Sequence, residues 1–458
     1  MAETPMIDSM KRGLERFAER SDQPSWLSSL RETGARDFGQ LGLPGTRDEA
    51  WKYTSTAALA RQEFEPVLAD EVRYEEPAIA EVIDRVAGEL GGPVFVFVDG
   101  NFVAGLSRLP DADATPGVQV SSLRSILGQD PGSLEPFLGH YLEARVHGLA
   151  ALNTAFLDDG LVVRVARGVV VPRPLSVVFW TTSRQTPVAA HPRNLIVAEP
   201  GSSVTVVEHY AGTGTYLCNT VTEVAVQDNA VVNHVTVVED SSEGFHVGRI
   251  DAEVARDARF RSHAIALTGK LNRTEIHARL VGENSEAVLR GLYCLDGKDH
   301  ADHHTSVDHV VAHTRSSEMY KGVLDGRSRG VFTGRIVIRP NAQKVSSEQT
   351  NNNLLISDEA VVETRPQLEI YADDVKASHG ATIGRLDSEK LFYMRARGLD
   401  EREAKRLLTY AFAGEPVEDI EDEPLRDALS AAIRRKVECL HTDRARTGSA
   451  HSETGDRR

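Results

Sequence analysis

The chain has 458 residues, 41% hydrophobic and 26% charged, with a formal net charge of −16. That length buries a large core and implies more than one domain, and that composition excludes a disordered chain, while no apolar run is long enough to span a bilayer. The acidic balance argues against nucleic acid as the main partner, because a phosphate-binding surface carries a basic stripe.

No signal-peptide core precedes the first charged helix, so a cytoplasmic location is expected. Met6, Met10, Leu14 and Phe17 recur at helical spacing, and Trp26, Leu27 and Leu30 begin a second such face. Residues 76–90 (EPAIAEVIDRVAGEL) read as an amphipathic helix stopped by Gly91-Gly92-Pro93. Next, two apolar runs, residues 94–98 and 102–103, flank Asp99-Gly100-Asn101, a hairpin signal because Asp-Gly supports positive φ. Residues 133–156 are expected to be helical.

From Leu161 the texture changes to short β-branched runs separated by Gly, Asn, Asp and Pro, continuing to about Ala372. Regular short strands with polar turns mean a sandwich, a barrel or a solenoid. The solenoid is favoured, since most junctions lack a hairpin code and stacked rungs bury one another's faces. Asn351-Asn352-Asn353 fits either a turn whose amides bond neighbouring rungs or an ordinary polar loop. After Gly384, Asp387 and Asp400 are N-caps for helices ended by Gly398 and Gly414, Asp400 forming a capping-box-like pair with Glu403. Pro424 opens a last helix, and the tail from Thr442 is expected to be disordered.

The expected fold is therefore mainly β: a right-handed parallel β-helix (solenoid) core with N-terminal and C-terminal helical domains. The expected segments are a helical domain at 1–92, a mixed α/β connector at 93–158, the β-helix at 159–385, a helical domain at 386–441 and the tail at 442–458.

Cys218, Cys294 and Cys439 are far apart in sequence and form no CxxC pair. A secreted disulfide framework is not expected. Nor can three cysteines hold an iron–sulfur cluster alone, since such clusters normally take four thiolates. His300, His303, His304, His309 and His313, with Asp302 and Asp308 between them, have good zinc or iron ligand types but match no helical HExxH spacing. They fit a metal site or a polar strand–turn–strand. His379 stands alone among Ala377, Ser378, Gly380 and Ala381. It reads as a structural histidine or, because its neighbours leave the ring unshielded, as a ligand at a partner surface; imidazole replaces thiolate on iron in some clusters. Phosphate-binding loops and dinucleotide fingerprints are missing, and no catalytic residue is assigned. A β-helix carbohydrate-active enzyme is the alternative reading.

Several motifs, in one order, resemble the SufD branch of the SufB/SufD family of iron–sulfur cluster assembly scaffolds. They are residues 47–54 (RDEAWKYT), 151–156 (ALNTAF), 191–194 (HPRN), 320–322 (YKG), 331–334 (VFTG), 342–344 (AQK), 368–376 (LEIYADDVK), 378–382 (SHGAT) and 391–398 (LFYMRARG). SufB-like chains carry a cysteine where this chain has Ala360, and HEAT where it has residues 379–382. Many SufD relatives carry a cysteine at the position of Ala377.

The resemblance implies a scaffold, not an enzyme, within a SufB/SufC/SufD-type complex that builds clusters and passes them to acceptor proteins. It implies a heterodimer with a SufB-like subunit and docking of a SufC-like ATPase on the C-terminal helices, for which Leu407 and Leu408 are the candidates. A homodimer is the expectation for the chain alone. His379 falls on the SufD histidine regarded as a cluster ligand at the shared interface. The cofactor implied is a transient iron–sulfur cluster shared with the partner, with none in the isolated chain, and neither nucleic acid nor a membrane is an expected partner.

Overall fold

The computed structural model describes residues 4–18, 24–74, 76–109, 116–142 and 147–441; the expected disordered tail at 442–458 lies outside the described residues. Helices α1 (Pro5–Ala18), α2 (Ser25–Leu41), α3 (Ala57–Ala60) and α4 (Glu76–Leu90) form before the first long strand, β1 (Glu65–Pro66) being a short pairing between them. The α4 stripe follows its apolar spacing: Ile79, Ile83, Val86 and Leu90 are buried. Gly91 ends the helix at φ +59°, its N–H closing on the Ala87 carbonyl at 2.9 Å.

Strand β2 (Val94–Val98) turns through Asp99 and Gly100, both at positive φ, into β3 (Asn101–Phe102), as the Asp-Gly pair requires. Strand β4 (Val118–Ser122) and helices α5 (Leu123–Gln129) and α6 (Gly148–Ala155) follow. The continuous helix expected over 133–156 is not present: residues 134–142 are mostly turns, and α6 is only the last part of that stretch. There the Gly139 and Tyr141 N–H groups donate to the buried Glu223 carboxylate, so the chain is spent on a cross-link instead of a ladder.

From Leu161 the strands build two parallel sheets in about eight turns. In chain order they are β5 (Leu161–Val165), β6 (Leu175–Thr181), β7 (Val188–Ala190), β8 (Arg193–Ala198), β9 (Ser203–Gly212), β10 (Tyr216–Val226) and β11 (Val231–Glu239). Then come β12 (Phe245–Val254), β13 (Arg259–Thr268), β14 (Leu271–Leu280), β15 (Glu286–Leu295), β16 (His300–His309) and β17 (Arg315–Leu324). The last are β18 (Arg329–Ile338), β19 (Ser346–Leu355), β20 (Val361–Ile370) and β21 (Lys376–Gly384). One sheet runs β20-β18-β16-β14-β12-β10-β8-β5-β4 and the other β21-β19-β17-β15-β13-β11-β9-β6-β2-β3. The solenoid is the solution for strands that lack hairpin turns, because each rung's apolar row needs a neighbouring rung to cover it.

The interior holds one apolar core that includes Val177, Val206, Phe260, Leu289 and Phe332. A second core lies outside the β21-containing sheet, where α4 and the C-terminal α9 (Glu423–Leu440) cover Val96, Val178, Ile265, Leu292 and Val323. Helices α7 (Ser388–Ala396) and α8 (Glu401–Gly414) precede α9. Gly398 sits at φ +97° after α7 as expected, but Gly414 keeps a helical φ of −76° and the chain continues into a 3-10 turn. Asp400 caps α8 by accepting from the Glu403 N–H, while the Glu403 carboxylate pairs with Arg406, so only half of the capping box forms.

Three of the sequence motifs join the N-terminal segments to the solenoid. Asn153 of the ALNTAF stretch accepts from Arg193 of the HPRN stretch at 3.1 Å and donates to the Pro192 and Asn219 carbonyls. Arg193, fully buried, is neutralised by Glu223 at 2.7 Å. In the RDEAWKYT stretch, Trp51 lies under the Arg273 guanidinium and Thr54 donates to Asp302 at 2.6 Å. Close approach sets the α2–α6 contact as well: a Cβ on Gly34 would sit 2.6 Å from the Ala155 nitrogen.

Candidate functional site

The two ends of the solenoid differ. At the first rung the sheets continue into β2, β3 and β4, which pair with β6 and β5 and cover them. At the last rung, β20 and β21 are the sheet edges. The alternating burial of β19 gives way to half-exposure along β20 and near-complete exposure along β21. Ile370, Tyr371 and Ile383 are all more than two-fifths exposed. A long bare edge with apolar side chains is a template for another strand, and isolated proteins ordinarily blunt it. Pro366 in β20 suits an edge, since proline gives no N–H to a ladder.

His379 stands on this edge, in β21. Its register partner is Gln349, whose partner in turn is Glu318, and the same row continues down through Leu289, Ser262 and His234. That row faces the solenoid interior, and every member below His379 is buried. His379 is exposed because no rung lies above it. Ala377 and Ala381 flank it on the same face by the period of two, and a Cβ on Gly380 would meet nothing within 4 Å. The space around the imidazole is thus open, and its donor chemistry fits one nitrogen ligand to a metal centre completed from elsewhere.

The asparagines of 351–353 lie in strand β19, not in a turn. Asn351 and Asn353 point inward. Asn351 donates to the Tyr293 hydroxyl at 3.1 Å and the Tyr320 carbonyl at 3.3 Å, and Asn353 donates to the Thr382 carbonyl at 3.3 Å. Asn352 faces out and accepts from the Thr382 hydroxyl at 2.7 Å. The amides do tie rungs together, but from strand positions.

The histidine group of 300–313 is split by the strand period. His303 and His309 face inward: His303 packs 5.4 Å from the Tyr320 ring, and His309 bonds Thr314 and Ser316. His300 and His304 face outward beside Thr54 and Arg273, and His313 lies in a turn at φ +63°. Among the described residues no group of three or more His, Cys, Asp or Glu converges to hold a metal ion. Burial pushes the His303 ring down to about 3 and the His309 ring down to about 4.

Cys218 and Cys294 are buried, and no disulfide forms. Burial raises the Cys218 thiol well above its ordinary value and the Cys294 thiol to about 12, so neither supplies a thiolate. Cys439 is exposed on α9.

Helix α7 buries none of its residues, with Phe392 and Tyr393 exposed. Leu408 of α8 lines the groove of about 830 Å³ beside α7, and Leu407 is 38% exposed, so the two leucines are not core residues. His379 and this groove are separate features. Nothing in the sequence marked the bare rung itself; only its exposed Ile370, Tyr371 and Ile383 hint at it.

Residues 179–412 match the family described as SUF system FeS cluster assembly, SufBD core domain, and residues 14–177 match the SufBD protein N-terminal region. An iron–sulfur cluster assembly SufBD family protein of Synechocystis sp. is 30% identical over 94% of this chain and 95% of its own length. The iron–sulfur cluster assembly protein SufD of Escherichia coli is 31% identical over 87% of this chain and 90% of its own. The SufD of Bacillus subtilis is 27% identical over 93% and 97%.

Proposed function

Because the chain belongs to the SufB/SufD family of iron–sulfur cluster assembly proteins, we propose that it is a SufD-type, non-catalytic scaffold subunit. Its partners are a SufB-like chain and a SufC-like ATPase, and the complex passes finished clusters to acceptor proteins. The observation that carries the reading is the bare last rung. A SufB-like partner adds its strands to β20 and β21, covering the exposed edge by main-chain pairing.

The cluster is cargo, held between subunits. His379 gives it one imidazole nitrogen from the rim of that rung. The partner supplies thiolates, because both interior cysteines here are protonated and shut away. Thiolates are also the groups that accept and pass on sulfur.

ATPase docking takes the α7–α8 groove, with Phe392, Tyr393, Leu407 and Leu408 as its apolar contacts. Nucleotide-driven movement of the ATPases then shifts the solenoid pair between closed and open arrangements. The division at residues 92, 158, 385 and 441, a homodimer for the chain alone and a cytoplasmic setting belong to the same reading. Among the described residues no helix is long and apolar enough to cross a membrane.

Co-expression tests it. A stable assembly with the SufB-like and SufC-like chains is the expected result. Recovery of this chain free of both, under conditions where those two bind each other, contradicts it.

A further inference from the structure

Directly beneath His379 lies a buried amide without a partner. Gln349 is fully buried, yet neither its Oε1 nor its Nε2 makes a hydrogen bond. Below it, Glu318 accepts from the Thr305 hydroxyl at 2.6 Å through Oε2, while Oε1 has no partner. Gln349 lies close enough to help hold the Glu318 carboxyl down, but without hydrogen-bond geometry. Buried polar atoms are nearly always satisfied, so an unpaired amide at the last covered rung calls for an explanation.

The register supplies one. Glu318, Gln349 and His379 occupy successive places in one inward row. The opposite wall is shaped to admit the amide: a Cβ on Gly334 would lie 2.3 Å from the Gln349 Nε2. Glycine in the VFTG stretch therefore lets Gln349 extend across the interior under the open rung. An amide offers both a carbonyl to accept and an NH₂ to donate, so it can join an imidazole above to a carboxylate below.

We propose that Gln349 is a positioning residue for His379, at the centre of a hydrogen-bonded column Glu318–Gln349–His379. Gln349 donates its NH₂ to Glu318 Oε1, which fixes the amide's orientation. Its carbonyl then accepts from His379 Nδ1–H. The two ring nitrogens aim in divergent directions within the ring plane, so holding Nδ1 toward the interior turns Nε2, with its lone pair, out of the open end. Ligating histidines generally donate their second ring N–H to a carbonyl or carboxylate, which fixes tautomer and direction. The column reproduces that arrangement inside a solenoid, in the inward row that continues below as Leu289, Ser262 and His234. This inference rests on the reading of His379 as a ligand, but it is measurable without a cluster.

The test is nitrogen-15 NMR of the full chain labelled at histidine, in mildly alkaline buffer, with His379→Gln identifying the His379 signals. The expected result is a neutral ring protonated at Nδ1, against the Nε2–H form that exposed histidines favour. In Gln349→Met the exposed ring is expected to revert to Nε2–H with the buried histidines unmoved. Gly334→Ala, which displaces the amide without touching His379, is expected to do the same. A wild-type ring already protonated at Nε2, or one unchanged in Gln349→Met, overturns the column. Because the wild-type ring alone decides the first point, a variant that fails to fold does not remove the test. In the assembled complex, Gln349→Met is expected to weaken iron retention by roughly tenfold or more. Intact cluster loading in His379→Ala would instead defeat the ligand reading, and the tautomer measurement distinguishes the two failures.

Discussion

The Arg273 guanidinium lies 4.0 Å from the centre of the Trp51 ring, stacked between it and the outward face of β14. Trp51 is 1% exposed, and Arg273 is held by Glu275 at 2.7 Å and by Asp302. The N-terminal segment is thus fastened to a charged sheet face by an aromatic ring, which binds a desolvated guanidinium without needing a charge of its own. Trp51→Ala is expected to cost about 3–5 kcal/mol, read as a lower urea midpoint for unfolding. A loss under about 1 kcal/mol would mean that the ring is not the fastening.

Acid should unfold the protein early. Burial lowers His191, His209 and His303 to about 3, and His246, His300, His304 and His309 to about 4. A histidine lowered in the folded state gives stability that is full above its unfolded value near 6.5 and is lost as pH falls toward its folded value. Each contributes a slope of up to about 1.4 kcal/mol per pH unit in that window. Asp240 and Glu318, pushed up to about 7 by burial, act with opposite sign, since their neutral forms gain as pH falls toward their unfolded values. The histidines outnumber them, so the urea midpoint is expected to fall steadily from pH 6.5 to pH 4.5. A flat or rising midpoint across that range contradicts the burial described.

The fold was largely readable from local chemistry. The α4 stripe and its Gly91 stop, and the Asp99-Gly100 turn, follow from spacing and backbone preference and appear as expected. What failed were segments where tertiary partners outweigh local pattern. Residues 134–142 have helical texture but are drawn into turns by the Glu223 carboxylate. Asn351-Asn352-Asn353 has turn composition, but Tyr293 and the neighbouring rungs satisfy its amides within a strand. For the histidines of 300–313 the polar strand–turn–strand reading holds and the metal reading does not, because the strand period sends neighbours to opposite faces. His379 was visible as a lone unshielded ring. The Gln349 beneath it was not, because a stack between residues some thirty positions apart appears only once the register is known.

The bare rung should tolerate charge on its own but not in a complex. Ile383 is 52% exposed in β21, so Ile383→Asp is expected to leave the unfolding midpoint within about 0.5 kcal/mol of the parent. Association with the SufB-like chain is expected to weaken at least tenfold, about 1.4 kcal/mol, by titration calorimetry. Equal affinity would place the interface elsewhere.

The α7–α8 groove is separable from the rung. Leu408→Glu, or Phe392→Ala on the exposed face of α7, is expected to reduce capture of the SufC-like ATPase while the SufB-like chain still binds. An unaltered ATPase yield in pull-down from both variants would show that this groove is not the docking face.

Anaerobic reconstitution of the co-purified complex, with and without His379→Ala, goes to the centre of the account. The altered complex is expected to assemble fully and to load markedly less iron and sulfide per heterodimer than the parent. Cluster loading equal to that of the parent would contradict the claim that this chain lends a nitrogen ligand at its open end.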